Sequence, residues 1–383
     1  MTLLPWVEIN NFRGISHLRY EPKQVNLLIG RNNSGKSTIL EAIYAVLTGK
    51  DVESLFRRGR ALNRYGINIH AEYAKISSDE HDLSIFSDPS YLPVDSLDEV
   101  IEETASAVFL SSKIIPTVSQ QKQIVEYLIK EGLVSFAVHD NTVCYIDVTP
   151  GGNDSVFKIA TDLQKIFSED EISSNDLFHI ASYLCRVSQG VFPKLENMRE
   201  NIRVFAEAEK LLSRVTTEPL ELMELDMFVQ EHNLIPNLER LMEGGVIYRE
   251  GDDTYFLPYS VHGTGFSILL NMISALRQCR DGVLLIEEPE NHMHPGYLHV
   301  FVENLMLLAK KLNVQVFMTT HSYDLIEAFA NYSQFDDAES IEERDLIQIT
   351  RIVKRKDEHE LYNYTPGEAF SEMVSMKMDL RGT

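Results

Sequence analysis

The sequence predicts an α/β fold built on a mixed sheet, with a largely helical insertion between its two ends. Three observations predict it. An apolar run, Val25 to Ile29, enters a glycine-bounded loop that opens an amphipathic helix. Two further compact apolar runs, 282–286 and 315–319, end in paired glutamates and in a histidine respectively. Helical periodicity dominates from 162 to 243. Buried apolar strands joined by helix-length crossovers belong to a parallel sheet.

The loop reads Gly30-Arg31-Asn32-Asn33-Ser34-Gly35-Lys36-Ser37-Thr38, the spacing of a P-loop. Gly30 and Gly35 admit backbone torsions that residues with a Cβ resist. Successive N–H groups from Asn32 to Thr38 can then curl around phosphate oxygens at a helix N-terminus. Lys36 supplies a point charge for the β- and γ-phosphates, and Ser37 offers its hydroxyl to Mg²⁺. The plain alternative is a glycine turn before a helix; the buried strand on one side and the amphipathic pattern over 38–47 on the other argue against it. The loop by itself does not separate a kinase, a GTPase and an ATPase.

Two strand signals precede the loop, at 6–10 and 15–20, with a break at Pro22. After it come strand candidates at 67–74 and 108–110, helical periodicity around 120–130, and strands over 136–148 ending in the turn Pro150-Gly151-Gly152-Asn153-Asp154. The acidic patches 168–171 and 221–226 read as solvated faces. Apolar runs at 246–248 and 254–257 flank a turn at 250–253 and read as a hairpin. Ser260-Val261-His262-Gly263-Thr264-Gly265 then opens a helix over 266–277. This second glycine-rich loop could hold a phosphate, although an ordinary N-cap turn explains it as well.

The strand 282–286 runs into Glu287-Glu288-Pro289-Glu290-Asn291-His292-Met293-His294. Adjacent carboxylates at a strand end suit a magnesium-nucleotide site: one holds the metal's water shell, and the next orients an attacking water. His292 and His294 resemble a metal pair but have no third ligand at useful spacing, and read as structural. One helix-length crossover later, the strand 315–319 ends in Thr320-His321-Ser322. A histidine at that edge of a parallel sheet lies where ligands bind and can reach a γ-phosphate. A last strand is expected at 346–353 and a last helix near 367–378.

Composition narrows the class. Apolar residues make up 44% and charged residues 24%, as in globular proteins, and no apolar run approaches the ~20 residues of a membrane span. No signal segment is evident at the N-terminus, so a cytoplasmic protein without a membrane partner is expected. Cys144, Cys185 and Cys279 lack metal spacing and fit buried thiols of a reducing compartment. The formal charge of −23 repels nucleic acid unless cations are gathered locally. Arg57, Arg58, Arg60 and Arg64, and separately Lys354, Arg355 and Lys356, form such clusters; ordinary salt-bridged surface is the alternative reading of each.

Taken in order, Asn11-Phe12-Arg13-Gly14, the P-loop, Ser260-x-x-Gly263-x-Gly265, Leu284-Leu285-Ile286-Glu287-Glu288-Pro289-Glu290 and Thr319-Thr320-His321-Ser322 resemble the ABC-type ATPases related to RecF, SMC proteins and the OLD nucleases. The resemblance implies an ABC-type P-loop NTPase core, in which a RecA-like parallel part is joined to an antiparallel β subdomain. It implies domains at 1–110, 111–245 and 246–383, the middle one a helical partner-contact lobe. It implies ATP and Mg²⁺ as cofactors, with Arg13 and residues 32–38 on the nucleotide and Ser37 and Glu287 on the metal. Glu288 would be the base that positions water, and His321 the γ-phosphate sensor. Ser260, Gly263 and Gly265 would meet ATP bound to the opposite subunit of a homodimer, and 291–294 would lie along that interface.

The signature loop and the first Walker B acid, Glu287, follow the OLD-like branch rather than the transporters. A Q-loop glutamine is not assigned among Gln120, Gln121 and Gln123. OLD nucleases carry a metal-binding TOPRIM domain after the ATPase, and no Asp-x-Asp pair follows His321 here. The leading expectation is therefore an ATPase that dimerises on ATP, with higher assembly open, and controls a separately encoded nuclease or toxin in anti-phage defence. A RecF-like DNA clamp, and an ATP-binding scaffold or sensor with little turnover, are the alternatives.

Overall fold

The computed structural model describes residues 3–49, 73–86, 101, 105, 109, 116–131, 133–140, 142–148, 153–168, 170–184, 202–205, 219–291, 293–332, 345–356, 358–375 and 379–381. The expected arginine cluster at 57–64 and most of the strand expected at 67–74 lie outside these residues. The chain divides into two compact units. The first comprises 1–6, 20–40 and 199–383, and the second 7–19 and 41–198.

The first unit is organised by a six-stranded sheet in the order β15-β14-β3-β13-β12-β8. Its strands are β3 (Val25–Ile29), β8 (Ile202–Phe205), β12 (Val283–Glu287), β13 (Gln315–Thr319), β14 (Ile347–Arg355) and β15 (Glu358–Tyr364). All neighbours are parallel except β15, which runs antiparallel to β14 at the edge. The runs Val-Asn-Leu-Leu-Ile in β3 and Gln-Val-Phe-Met-Thr in β13 are buried throughout, as strands covered on both faces require. With helices numbered along the chain, this unit holds α1 (Lys36–Thr48), whose first turns belong here, α5 (Pro219–Glu231), α6 (Gly263–Gln278), α7 (Pro295–Lys311), α8 (Tyr323–Asn331) and the short α9 (Pro366–Phe370), which runs on into one π-helical turn, Ser371–Ser375. Phe266, Leu270, Ile273, Phe301, Leu305 and Phe329 from these helices close one core with the sheet. A separate three-stranded antiparallel sheet, β11-β10-β9, consists of β9 (Leu238–Met242), β10 (Gly245–Glu250) and β11 (Asp253–Pro258); the last two form the expected hairpin, with Gly251 at φ +65 in its turn.

The second unit holds a six-stranded antiparallel sheet in the order β2-β1-β4-β5-β6-β7. It contains β1 (Val7–Phe12), β2 (Ile15–Tyr20), β4 (Tyr73–Ser78), β5 (Asp82–Phe86), β6 (Val134–His139) and β7 (Thr142–Val148), with α2 (Val118–Lys130), α3 (Asn153–Ile166) and α4 (Ser174–Leu184). Ile124, Leu128, Leu163, Leu177 and Ile180 from the three helices share a core with Phe86 and Val138.

Three sequence readings change. The stretch 162–243, expected to be helical, also supplies β8, whose Ile-Arg-Val-Phe run pairs with β12, and β9, which pairs with β10. Tertiary pairing decides such four- and five-residue strands, which carry no period of their own. Asp226, expected on a solvated face, is buried, and its Oδ1 accepts the Leu241 N–H at 2.6 Å and the Gln230 amide at 3.0 Å. β15, Glu-His-Glu-Leu-Tyr-Asn-Tyr, went unread because an edge strand with polar residues on both faces lacks an apolar alternation.

Candidate nucleotide site

β3 delivers the P-loop between its parallel neighbours β14 and β13. Gly30 has φ +145, and a Cβ there would meet the Ile352 carbonyl oxygen at 2.6 Å and Ser34 Oγ at 2.9 Å, so only glycine lets the loop pass this close to β14. Asn33 at φ +63 and Gly35 at φ +102 continue the curl. The Ser34 N–H donates to the Arg31 carbonyl at 3.2 Å, and the Ile39 N–H donates to the Gly35 carbonyl at 2.9 Å to begin the helical ladder of α1.

Lys36 is only 5% exposed. A buried ammonium is costly unless hydrogen bonds replace its water, and its Nζ donates to the carbonyls of Gly30 at 2.8 Å and Arg31 at 2.9 Å. The charge is thereby folded back over the loop it serves. Ser34 is buried too, and its Oγ has no hydrogen-bond partner among the described residues.

The parallel register brings the acids to the same edge: Leu28 pairs with Thr319, and Thr319 with Glu287. Ser37 Oγ donates to Glu287 Oε1 at 2.5 Å, across 250 residues of sequence. Glu288 leaves the strand at φ +48, a left-handed turn held by its N–H donating to the Thr319 carbonyl at 3.0 Å. Its Oε1 lies 3.3 Å from His321 Nε2, and its Oε2 accepts the Asn291 side-chain amide at 3.2 Å.

Sequence reasoning missed the role of Glu290. Its Oε1 accepts from Thr320 Oγ1 at 2.5 Å, the His321 N–H at 3.1 Å and the Ser322 N–H at 3.2 Å, so one oxygen ties the turn after β12 to the turn after β13. Its Oε2 is buried with no partner among the described residues. Burial pushes this carboxyl above its ordinary pKa, and the Thr320 hydroxyl and backbone amides only partly offset that. The available signal was a third glutamate in Glu-Glu-Pro-Glu, which looks like any solvated acid.

The second glycine-rich loop is built differently. Ser260 sits exposed in the 3₁₀ turn Tyr259–Val261, and Gly263, at φ +72, has no atom within 4 Å of where a Cβ would stand. His262 precedes α6 without capping it; its ring stacks on Phe266 with centroids 4.4 Å apart, and burial lowers its pKa. Gly265 is buried, and a Cβ there would stand 3.5 Å from the ring of Tyr297.

Other expected residues have local duties. Arg13, in the second unit, has φ +52, forms an ion pair with Glu41 and lies over the Phe12 ring at 5.3 Å. Gln120 and Thr117 make the capping box of α2, and Gln121 donates to the Pro116 carbonyl at 2.9 Å. His294 caps α7 by accepting the Gly296 N–H at 3.1 Å, which bears out a structural reading for it; His292 lies outside the described residues. Cys279 is a buried free thiol.

Residues 4–171 match the family model described as "AAA ATPase domain", and residues 158–327 match that described as "AAA domain, putative AbiEii toxin, Type IV TA system". An "ATP/GTP phosphatase" of Helicobacter pylori is 23% identical over 354 residues, covering 84% of this chain and 86% of that protein. An "OLD nuclease" of Thermus scotoductus is 31% identical over 121 residues, 30% of this chain and 22% of the nuclease. The two AAA models and these relatives support an ABC-type ATPase related to the RecF and OLD proteins. Among solved structures, the SMC head domain from Thermotoga maritima superposes with a TM-score of 0.44 at 12% identity, covering 95% of this chain and 99% of that one. The protein is an ATPase; its largely parallel sheet carries the P-loop strand and the acidic strand on either side of β13, and the other unit holds an antiparallel sheet. None of its described helices is long and apolar enough to cross a membrane.

Proposed function

We propose that this ATPase works as an ATP-sandwich homodimer that regulates an effector carried by another chain, in defence against phage. The observation that carries its chemistry is the meeting of Ser37 with Glu287 and of Glu288 with His321 at one edge of the sheet. In this reading Lys36 releases the loop carbonyls to hold the β- and γ-phosphates, with Asn32, Asn33, Ser34, Gly35 and Thr38 around them. Ser34 Oγ, buried and without a partner among the described residues, is available to a phosphate oxygen. The Ser37 hydroxyl and Glu287 carboxylate form an oxygen set suited to Mg²⁺, which when bound neutralises charge developing on the phosphates. Glu288, steadied by Asn291, accepts a proton from the attacking water, and His321 donates to the γ-phosphate.

Ser260, Gly263 and Gly265 complete the site of the opposite subunit. The exposure of Ser260 and Gly263 at an uncapped helix N-terminus supports that role, because such a terminus attracts an anion. The defence reading draws on the OLD nuclease and on the toxin named in one family model. For docking an effector, Leu220, Met223 and Met227 lie exposed at helical spacing on α5.

The test is the mass of Glu288→Gln, which should bind ATP without turning it over. A dimer with ATP and a monomer without it are expected. A monomer under both conditions would overturn the sandwich.

One observation favours a second reading, a DNA-binding ATPase. A cavity of about 480 Å³ opens beside Arg31, Asn32, Asn33 and Ser34, and its wall carries Arg351, Lys354, Lys356 and Arg381. Five cations gathered in a chain of charge −23 are what a phosphate backbone would need. ATP-dependent DNA binding that weakens steeply with salt and is lost in Lys354→Glu/Lys356→Glu would select this reading.

A further inference from the structure

Three metal-type ligands converge in the second unit, where the turn between β4 and β5 meets the turn between β6 and β7. They are one ring nitrogen each of His81 and His139 and a carboxylate oxygen of Asp140, all within 4.8 Å of one another. The imidazole rings stack with centroids 5.2 Å apart. His81 Nδ1 donates to Asp140 Oδ2 at 2.6 Å, and His139 Nδ1 lies 3.4 Å from the same oxygen.

The protons expose what is missing. His139 Nε2 faces the carbonyl of Val46, in the last turn of α1, at 2.7 Å. A carbonyl only accepts, so Nε2 is the donor, and in the neutral ring Nδ1 is a bare lone pair. His139 Nδ1 lies 3.4 Å from Asp140 Oδ2, the same oxygen that His81 Nδ1 meets at 2.6 Å. Hairpin stapling accounts for Asp140 Oδ1 accepting the Asp82 N–H at 2.9 Å, and helix-end satisfaction accounts for the Val46 bond. Neither accounts for both imidazoles gathering on one carboxylate oxygen, the arrangement a shared cation would order.

We propose that His81, His139 and Asp140 bind a divalent transition-metal ion of the zinc type, at a site separate from the nucleotide and its Mg²⁺. Zinc takes nitrogen and oxygen ligands at about 2.0–2.2 Å, which puts tetrahedral ligand atoms about 3.3 Å apart. The His139–Asp140 separation already has that span, and the His81–Asp140 pair opens to it when the ion replaces the shared proton. Ligating histidines characteristically donate the other ring nitrogen to a backbone carbonyl or carboxylate, as His139 does to Val46. Two imidazoles with one carboxylate favour zinc over the hard, oxygen-seeking Mg²⁺. The Asp140 side chain is 40% exposed and the His81 side chain 22%, which leaves an approach for the ion and room for a water as fourth ligand.

The test is calorimetric titration of chelator-treated protein with Zn²⁺ in excess Mg²⁺. It reads out independently of nucleotide turnover. One saturable zinc ion per chain is expected, together with a rise in melting temperature. His139→Ala and Asp140→Asn should each weaken binding at least about 100-fold. Asp140→Asn keeps an acceptor for the Asp82 N–H, so its fold is preserved if the alanine variant proves unstable. Co²⁺ in place of zinc should give visible absorption from a nitrogen and oxygen site, absent in Asp140→Asn. No saturable zinc binding by the wild-type chain, or binding unaltered by Asp140→Asn, would overturn the assignment.

Discussion

The two glycine-rich loops of the first unit both open a helix, yet they are finished to different degrees. At the P-loop the chain is crowded: Gly30 abuts β14, Lys36 is buried against its own loop, and Ser37 already holds Glu287. At Ser260–Gly265 the glycine of positive φ faces open space, the serine is exposed and α6 starts without a side-chain cap. The first loop is a preorganised cradle. The second is left open, as its proposed contribution to an opposite subunit requires.

The sharpest break of that contrast is Lys36→Ala. It removes the charged donor from the preorganised side, and ATP turnover should fall by roughly 10²–10³, as for loss of one key oxyanion donor, with ATP affinity falling too. Nucleotide-binding fluorescence and phosphate release measure both.

Next is Gly30→Ala, which places a Cβ 2.6 Å from the Ile352 carbonyl at φ +145. Strain of about 1–3 kcal/mol should lower the melting temperature and weaken ATP binding. Gly263→Ala, at φ +72 in open space, carries only the left-handed backbone penalty of about 1–2 kcal/mol. Equal losses of stability and ATP affinity in the two variants would erase the distinction between the loops.

Ser260→Ala touches nothing buried. It should leave ATP affinity of the single subunit unchanged while turnover drops about 10-fold, the worth of one hydrogen bond to a charged group. A loss of affinity in the monomer would place Ser260 in its own subunit's site instead.

The smallest effect concerns Glu290 and pH. Its folded-state pKa is raised by burial, so the folded chain holds this proton more tightly than the unfolded chain. Below the ordinary glutamate pKa both states are protonated and nothing is lost. As pH rises from there through the raised value, wild type loses stability. Glu290→Gln keeps an acceptor and cannot ionise, so its melting temperature should gain on wild type across that window and stay level above it. A constant difference between the two at all pH values would show that the carboxyl does not titrate there.

By itself, the sequence determined the strands β1, β2, β3, β12 and β13, the P-loop and the hairpin of β10 and β11. In these places local pattern and tertiary demand agree: apolar runs fill a sheet covered on both faces, and glycine stands where the backbone needs it. The same agreement brought Ser37, Glu287, Glu288 and His321 to notice, since each stands at the end of such a run or of the glycine loop that follows one. What required three dimensions was every pairing between distant residues. Glu290 reads as a surface acid until Thr320 and two backbone amides close on it, and Asp226 until the Leu241 N–H does. β8 and β15 exist because β12 and β14 offer them open edges. His81 and His139 lie 58 residues apart, with no metal-type spacing, and only the two adjoining hairpin turns set their nitrogens around Asp140. Propensity and period act over a few neighbours along the chain, whereas a hydrogen bond or a ligand set is decided by which strands stand side by side.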